Sequence, residues 1–169
     1  MKVLKLNQTD IYANKKLAIM IFLEGTILGP KRLIDHFSHE KYIPIGNCIA
    51  KISRWSNEGA HIVYMTNVKK ESSAESTKNI LVRYGFPGQY LYHRTKGENY
   101  KDIVEAVKPD ILIEDDCKSI GGKWQMSITY VDESIKDKIN SIVVKEFKGI
   151  DLLPDNLAEL MCAFDFSSG

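Results

Sequence analysis

The chain has 169 residues, of which 44% are hydrophobic and 27% are charged, as expected for a single globular domain. Its 23 lysines and arginines nearly balance its 22 aspartates and glutamates, so no strong field of one sign is available to hold a nucleic acid or an anionic membrane. The longest apolar run, residues 17–23, is too short to span a bilayer, and residues 1–16 lack the apolar segment of a secretory signal. We therefore expect a cytoplasmic protein with no nucleic-acid or membrane partner.

Five short apolar segments predict β-strands, and most of the stretches between them predict helices. The first strand, residues 17–23 (LAIMIFL), is a continuous apolar run typical of a strand buried on both faces. A helix over 47–57 then leads to a β-branched and aromatic strand over 61–65 (HIVYM). The later predicted elements are a helix over 72–84, a strand over 89–93, a helix over 99–107, a strand over 110–114, a short helix over 134–140, a strand over 141–145 and a final helix over 157–164.

Strands that alternate with helices indicate parallel crossover connections. The predicted fold is an α/β three-layer sandwich with a mostly parallel, five-stranded, Rossmann-like sheet. We expect one domain over residues 1–169 with its core at about 17–153, an N-terminal extension over 1–16 and a C-terminal tail or helix over 154–169. In such sheets, ligands bind at the carboxyl ends of the strands, so the residues that follow each strand are the candidates for chemistry.

Polar side chains that could take part in catalysis or ligand binding follow these strands. Glu24, Gly25 and Thr26 follow the first predicted strand, and Thr66 follows the second. Lys101 opens the helix before the fourth strand, and that strand closes in Glu114-Asp115-Asp116. An acid, a hydroxyl, an ammonium group and an acidic pair are therefore predicted to meet at one edge of the sheet. The two tryptophans, Trp55 and Trp124, are interpreted as packing residues.

This pattern resembles the haloacid dehalogenase-like superfamily. That family's first motif is a hydrophobic strand ending in Asp-x-Asp-Gly-Thr, and the chain reads Phe22-Leu23-Glu24-Gly25-Thr26. The second motif, a strand ending in Thr or Ser, is matched at Thr66. The third, a lysine ahead of the fourth strand, is best matched by Lys101, with Lys96 as a rival. The fourth, a strand closing in an acidic pair, is matched at Asp115 and Asp116.

The resemblance implies a role for each matched residue. Glu24 stands where the family places its general acid and base, Thr66 would orient a phosphate oxygen, and Lys101 would neutralise negative charge. Asp115 and Asp116 would be metal ligands, because two adjacent carboxylates repel each other unless a cation compensates. From Thr66 to Asp115 there is room for only two helices and one strand, so no second cap domain fits there. The roughly twenty residues from Thr26 to Asn47 are enough for a flap but not for a full helical cap. The resemblance then implies a capless or minimally capped member.

Phe22 is the departure from the family pattern. In the family this position holds the aspartate that attacks phosphorus and also binds Mg²⁺, whereas a phenyl ring can form no phosphoester and ligates no cation. A shift of register does not restore the acid, because residues 17–23 contain none. Mg²⁺ binding is therefore expected to be weak or absent.

Three functions remain open. The first is a haloacid dehalogenase-like protein without covalent phosphatase activity, a pseudoenzyme candidate that retains phosphate or Mg²⁺ binding or acts as a scaffold. The second is a Mg²⁺-dependent phosphohydrolase in which Glu24 activates water and Asp115 and Asp116 hold the metal. The third is a subunit or partner-binding module, in which Phe22 and other apolar groups at the strand ends receive a partner. The expected partner is a small phosphorylated ligand or a protein, and a homo-oligomer is possible.

Overall fold

The computed structural model describes residues 1–6, 17–32 and 41–162. Within them, the strands are β1 (Lys2–Leu4), β2 (Ala18–Phe22), β3 (Leu28–Pro30), β4 (Tyr42–Pro44), β5 (His61–Thr66), β6 (Tyr90–His93), β7 (Ile111–Asp115) and β8 (Asn140–Val144). Six of them form one sheet in the order β1-β6-β5-β2-β7-β8, in which every neighbouring pair is parallel. The strands β3 and β4 form a separate antiparallel pair.

The described α-helices are α1 (Cys48–Asn57), α2 (Glu71–Tyr84), α3 (Tyr100–Val107), α4 (Glu133–Lys136) and α5 (Leu157–Cys162). Three consecutive 3₁₀ turns follow β7, at Lys118–Ile120, Gly122–Gln125 and Ser127–Tyr130. We refer to residues 118–130 as the 3₁₀ segment. No helix in the described part of the chain has the length and apolar character needed to cross a bilayer.

The sheet is covered on both faces because successive side chains of a strand point in opposite directions. On one face, Ile19 and Ile21 of β2 pack with Trp55 of α1 in a buried cluster that also includes residues of α2 and α5. On the other face, Met20 of β2 belongs to a second buried cluster with Ile103 of α3 and residues of the 3₁₀ segment. The predicted three-layer α/β sandwich is therefore confirmed.

All five predicted strands are present, but the sheet has six. The additional strand, β1, pairs with β6 through Lys2 and Tyr90 at the edge of the sheet, within the segment expected to be an N-terminal extension. Three residues with one buried side chain, Leu4, are too few to show a period in the sequence, so the pairing with β6 decides this strand. The last predicted helix begins at Leu157 as expected and is described as far as Cys162.

The region between β2 and α1 contains the β3–β4 pair, where Leu28 lies opposite Pro44. Residues 33–40, between these two strands, lie outside the described residues. The expectation of a minimal cap stays a prediction.

The position of β2 determines where a ligand would bind. β2 pairs with β5 on one side and with β7 on the other. After β2, the chain adds β5 and β6 on one side, and it then adds β7 and β8 on the other side. This reversal leaves a crevice between the connections that follow β2 and β7. Glu24 and Gly25 line the crevice after β2, and Asp115 lines it from the end of β7.

Candidate functional site

A cleft of about 520 Å³ opens at the carboxyl ends of β2, β5 and β7. It is within the size range of small-ligand sites. Among the described residues, its charged lining consists of one arginine and four acids, namely Arg94, Glu24, Glu114, Asp115 and Glu146. The cleft also has aromatic walls from Phe22, Tyr42, Tyr100 and Phe147. Because the described lining carries more negative than positive charge, the cleft favours a cation over a free anion.

Phe22 closes β2 with its ring directed into this cleft. The ring meets that of Tyr100 edge-on, with 5.1 Å between centroids and 80° between planes. The Tyr100 hydroxyl donates to the backbone oxygen of Asn67 at 3.4 Å, and the Arg94 guanidinium lies 4.2 Å above the Tyr100 ring. Phe22 is therefore part of an aromatic wall that connects the ends of β2, β5 and β6.

The Glu24 carboxylate is held by the end of β5. One of its oxygens accepts a short hydrogen bond from the Thr66 hydroxyl, and the other accepts from the backbone N–H of Asn67 at 3.0 Å. Thr66 is fully buried behind Glu24, which itself lines the cleft. The structure thus brings Glu24 and Thr66 together, with Thr66 acting on Glu24 and not lining the cleft.

Asp115 is packed against the turn that follows β2. Its two carboxylate oxygens accept hydrogen bonds from the Thr26 hydroxyl at 3.3 Å and from the backbone N–H of Cys117 at 3.0 Å. Gly25 has a φ of +83°, and a Cβ built there would lie 2.7 Å from the nearer Asp115 oxygen. Glycine is required at position 25 because only glycine permits both this backbone conformation and the close approach of the carboxylate.

Three carboxylates could hold a metal ion at this end of the sheet. Ligand oxygens of Asp115, Asp116 and Glu146 all lie within 4.8 Å of one another. Carboxylate oxygens are hard ligands of the kind that Mg²⁺ prefers, and each can bind a cation while still accepting hydrogen bonds. The donor set therefore fits a divalent cation, with Glu146 contributing in addition to the predicted pair Asp115 and Asp116.

Burial and like charge both act on these acids. Burial, followed by the negative charge of Glu146, raises the pKa of Asp115 above its ordinary value. Burial also raises the pKa of Glu114, which accepts hydrogen bonds from the backbone N–H groups of Ser127 at 2.7 Å and Ile128 at 3.1 Å. Glu114 thus fixes the 3₁₀ segment to the sheet, while a cation beside Asp115 would relieve its charge.

The structure does not bring Lys101 into the cleft. Its side chain runs along α3, with the ammonium nitrogen 3.5 Å from Glu105 and 3.8 Å from Asp102. Lys96, the rival, is exposed in the turn between β6 and α3. Within the part of the chain that the structure describes, the cation that lines the cleft is Arg94, immediately after β6. The chemical roles assigned to Glu24, Thr66, Lys101, Asp115 and Asp116 stay predictions.

The sequence analysis does not select Arg94 and Glu146 as site residues, although their positions in the sequence point to them. Arg94 directly follows the predicted strand 89–93, and Glu146 directly follows the predicted strand 141–145, so the rule that singled out Glu24 and Asp115 also selects them. The interpretation of Trp124 as a packing residue is wrong, because 59% of its surface is exposed, whereas Trp55 is fully buried as expected. Trp124 belongs to the 3₁₀ segment, for which the sequence predicted no element.

Comparison with known proteins adds evidence about the fold. No protein-family model and no curated protein matches this sequence. The chain is similar to a chain in the structure of the Pnkp1/Rnl/Hen1 RNA repair complex, with a TM-score of 0.52 and 13% identity over 79% of this chain. It spans 45% of the length of that chain. A weaker similarity is to the crystal structure of D,D-heptose 1,7-bisphosphate phosphatase from Burkholderia thailandensis, with a TM-score of 0.45, 12% identity and coverage of 79% of this chain and 94% of that one.

At these identities the likeness concerns the fold alone. The sheet is parallel, its order places β2 between β5 and β7, and Glu24-Gly25-Thr26, Thr66 and Asp115-Asp116 stand at the ends of those three strands. These features together with the structural similarity define the class: the chain has a haloacid dehalogenase-like fold.

Proposed function

We propose that this protein binds a divalent cation and a phosphorylated ligand in the cleft without forming a phosphoenzyme. The observation that carries the proposal is the position of the Phe22 ring, at the end of β2 and against Tyr100. A phenyl ring has no lone pair with which to attack phosphorus, and it excludes water from the position that a nucleophilic carboxylate would need. The described carboxylates that line the cleft stand elsewhere: Glu24 two residues further along the chain, Glu114 and Asp115 at the end of β7, and Glu146 after β8.

Cation binding is supported by the donor set and by the charge of the cleft. Asp115, Asp116 and Glu146 supply three hard oxygen ligands, and their mutual repulsion falls when a cation is bound. The absence of a carboxylate at position 22 removes one ligand of the family pattern, so binding weaker than in a complete site of this fold is expected. The bound cation would in turn offset the negative charge of the cleft and permit a phosphate group to approach, with Arg94 facing it from the other side.

A second candidate, a hydrolase that activates water, is favoured by the position of Glu24. Its carboxylate lines the cleft and is oriented by two hydrogen bonds, from the hydroxyl of Thr66 and the N–H of Asn67. An oriented carboxylate at the edge of a cation site is suited to take a proton from water. This candidate also needs no nucleophile at position 22, so activity measurements are required to separate it from the first.

Isothermal titration calorimetry with Mg²⁺ alone tests the cation site. The wild-type chain is expected to bind Mg²⁺, and Asp115→Asn is expected to abolish binding. Asp137→Asn, which removes the same charge from an exposed position at the end of α4, serves as the matched control. Absence of Mg²⁺ binding to the wild type, or equal binding to Asp115→Asn, contradicts the proposed cation site.

Turnover of p-nitrophenyl phosphate with and without Mg²⁺ tests the chemistry. The first candidate predicts no turnover above background, and acid quenching is expected to trap no acyl phosphate. The second candidate predicts Mg²⁺-dependent turnover that Glu24→Gln abolishes, again with no acyl phosphate. That result would contradict the first candidate. A trapped phosphoenzyme contradicts both candidates. Cytoplasmic location belongs to the proposal as well, and fractionation of the source cells tests it.

A further inference from the structure

A second cavity, of about 360 Å³, lies beside the cleft, and we refer to it as the side pocket. Its lining combines aromatic rings with two cations: Arg94, Tyr100, Lys101, Trp124 and Tyr130. No carboxylate is among its described lining residues, in contrast to the acidic cleft. Arg94, Tyr100 and Gln125 line both cavities and so lie between them. The two cavities therefore offer different chemistry on the two sides of one arginine.

The aromatic side chains of the side pocket are unusually exposed for their size. Trp124 is 59% exposed and Tyr130 is 55% exposed, and both belong to the 3₁₀ segment that Glu114 fixes to the sheet. The Lys123 ammonium lies 4.9 Å from the centroid of the Trp124 ring, so positive charge is present at the same place. Exposed rings held on a fixed segment beside a cavity suit a planar ligand that stacks on them.

Arg94 provides the site for the ligand's negative charge. Its Nε–H is buried and has no hydrogen-bond partner among the residues that the structure describes, so the guanidinium keeps unused donor capacity. Arginine binds phosphate through paired donors, and such charge-assisted hydrogen bonds are about twice as strong as neutral ones. Lys101 is already close to Glu105 and Asp102, and its contribution is secondary.

We propose that the side pocket binds a nucleoside monophosphate, with the base stacked on Trp124 and Tyr130 and the phosphate at Arg94. The ligand class follows from the combination of stacking surfaces for a planar heterocycle with a single donor-rich arginine next to them. The nearly balanced charge of the chain, 23 basic and 22 acidic residues, favours a free nucleotide over a polymer, since polymer binding depends on several phosphate contacts. The nucleotide would be the phosphorylated ligand of the proposed function. This inference rests on the proposed function only for the cation in the cleft that would approach the phosphate.

Tryptophan fluorescence provides a direct test because the chain has only two tryptophans. In Trp55→Phe, which replaces the fully buried one, the remaining signal comes from Trp124. Titration with adenosine 5′-monophosphate is expected to quench this signal saturably. Adenosine is expected to quench it at higher concentration, because it lacks the phosphate, and ribose 5-phosphate is expected to leave it unchanged, because it lacks the base.

Calorimetry of variants with adenosine 5′-monophosphate identifies the residues that contact the nucleotide. Trp124→Ala and Arg94→Gln are each expected to weaken binding by about tenfold, from the loss of stacking and of a charge-assisted hydrogen bond respectively. Trp124→Phe, which retains a ring, is expected to stay closer to the wild type. Tyr84→Ala and Arg83→Gln, both exposed at the end of α2, which packs on the other face of the sheet from α3 and the 3₁₀ segment, are the matched controls and are expected to bind like the wild type.

The cation site in the cleft and the nucleotide site in the side pocket can be tested independently. Titrations in EDTA and with Asp115→Asn are expected to retain the Trp124 signal, so loss of Mg²⁺ binding alone does not remove the side pocket. Absence of nucleotide binding, unchanged binding in Trp124→Ala or Arg94→Gln, or ribose 5-phosphate binding equal to that of the nucleotide overturns the assignment. A single-stranded oligonucleotide that binds more tightly than the mononucleotide overturns the choice of a free nucleotide.

Discussion

The Phe22 ring packs edge-on against Tyr100, with 5.1 Å between the ring centroids, at the point where β2 ends in the cleft. Edge-to-face pairs of this kind contribute about 0.5–1.5 kcal/mol beyond the area that they bury. The end of β2 is thus occupied by a stabilising contact. Stability and Mg²⁺ affinity are therefore expected to change in opposite directions when the residue is exchanged.

Phe22→Asp is predicted to lower the free energy of unfolding by about 2–3 kcal/mol, through loss of the ring contact and partial burial of a charge. The same substitution is predicted to strengthen Mg²⁺ binding, because it adds a carboxylate near Asp115. Urea denaturation with and without Mg²⁺ measures both effects. Phe22→Leu is the control, and it should lose part of the stability without a gain in Mg²⁺ affinity. Mg²⁺ binding to Phe22→Asp that is no stronger than to the wild type would show that a carboxylate at position 22 does not reach the cation site.

Thr66→Val is predicted to destabilise the fold by about 1.5–3 kcal/mol. The substitution keeps the shape of the side chain but removes the hydroxyl that donates to Glu24, and hydrogen bonds to charged groups contribute within this range. Chemical denaturation measures the loss. Thr66→Ser keeps the donor and should recover most of the stability, and a Ser variant as unstable as the Val variant would contradict the role of the hydroxyl.

Gly25→Ala is predicted to destabilise the protein more than Gly59→Ala does. Both glycines have positive φ, +83° and +105°, so both substitutions carry a backbone cost of about 1–2 kcal/mol. A Cβ at Gly25 would also lie 2.7 Å from an Asp115 oxygen, whereas no atom of the described residues lies within 4 Å of a Cβ at Gly59. Thermal unfolding compares the two variants, and Gly25→Ala should in addition weaken Mg²⁺ binding. Equal effects on stability would mean that Asp115 moves aside without cost.

Glu114→Ala is predicted to lower the free energy of unfolding by about 3 kcal/mol at neutral pH. The substitution leaves the buried N–H groups of Ser127 and Ile128 without their acceptor, and each such group costs about 1–3 kcal/mol. Glu114→Gln keeps one acceptor oxygen and should lie between Ala and the wild type.

The pH dependence of stability offers an independent test of Glu114. Burial raises its pKa in the folded state, so between the ordinary value of 4.5 and the raised value the native chain holds a proton that the unfolded chain has released. Its contribution to stability therefore decreases as the pH rises through that window. Urea denaturation across pH 4–8 should show a shallower slope for Glu114→Gln than for the wild type, and parallel slopes would contradict the raised pKa.

The sequence alone was sufficient for the central strands and for the residues at their ends. Buried parallel strands appear as continuous apolar runs, so residues 17–23 and 110–114 were recognisable without structure, and the polar residues after them had to meet at one edge. The absence of a carboxylate in residues 17–23 was equally fixed by the sequence, since no register provides one.

Tertiary structure alone decided which of those side chains share a site. Lys101 does not line the cleft because its side chain follows α3 toward Glu105, whereas Arg94, which directly follows β6, does line it. The exposure of Trp124 depends on how Glu114 anchors the 3₁₀ segment, and the strand β1 depends on its pairing with β6. Neither the exposure of Trp124 nor the strand β1 leaves a periodic signal in the sequence. Side-chain direction and edge pairing are set by contacts between residues far apart in the chain.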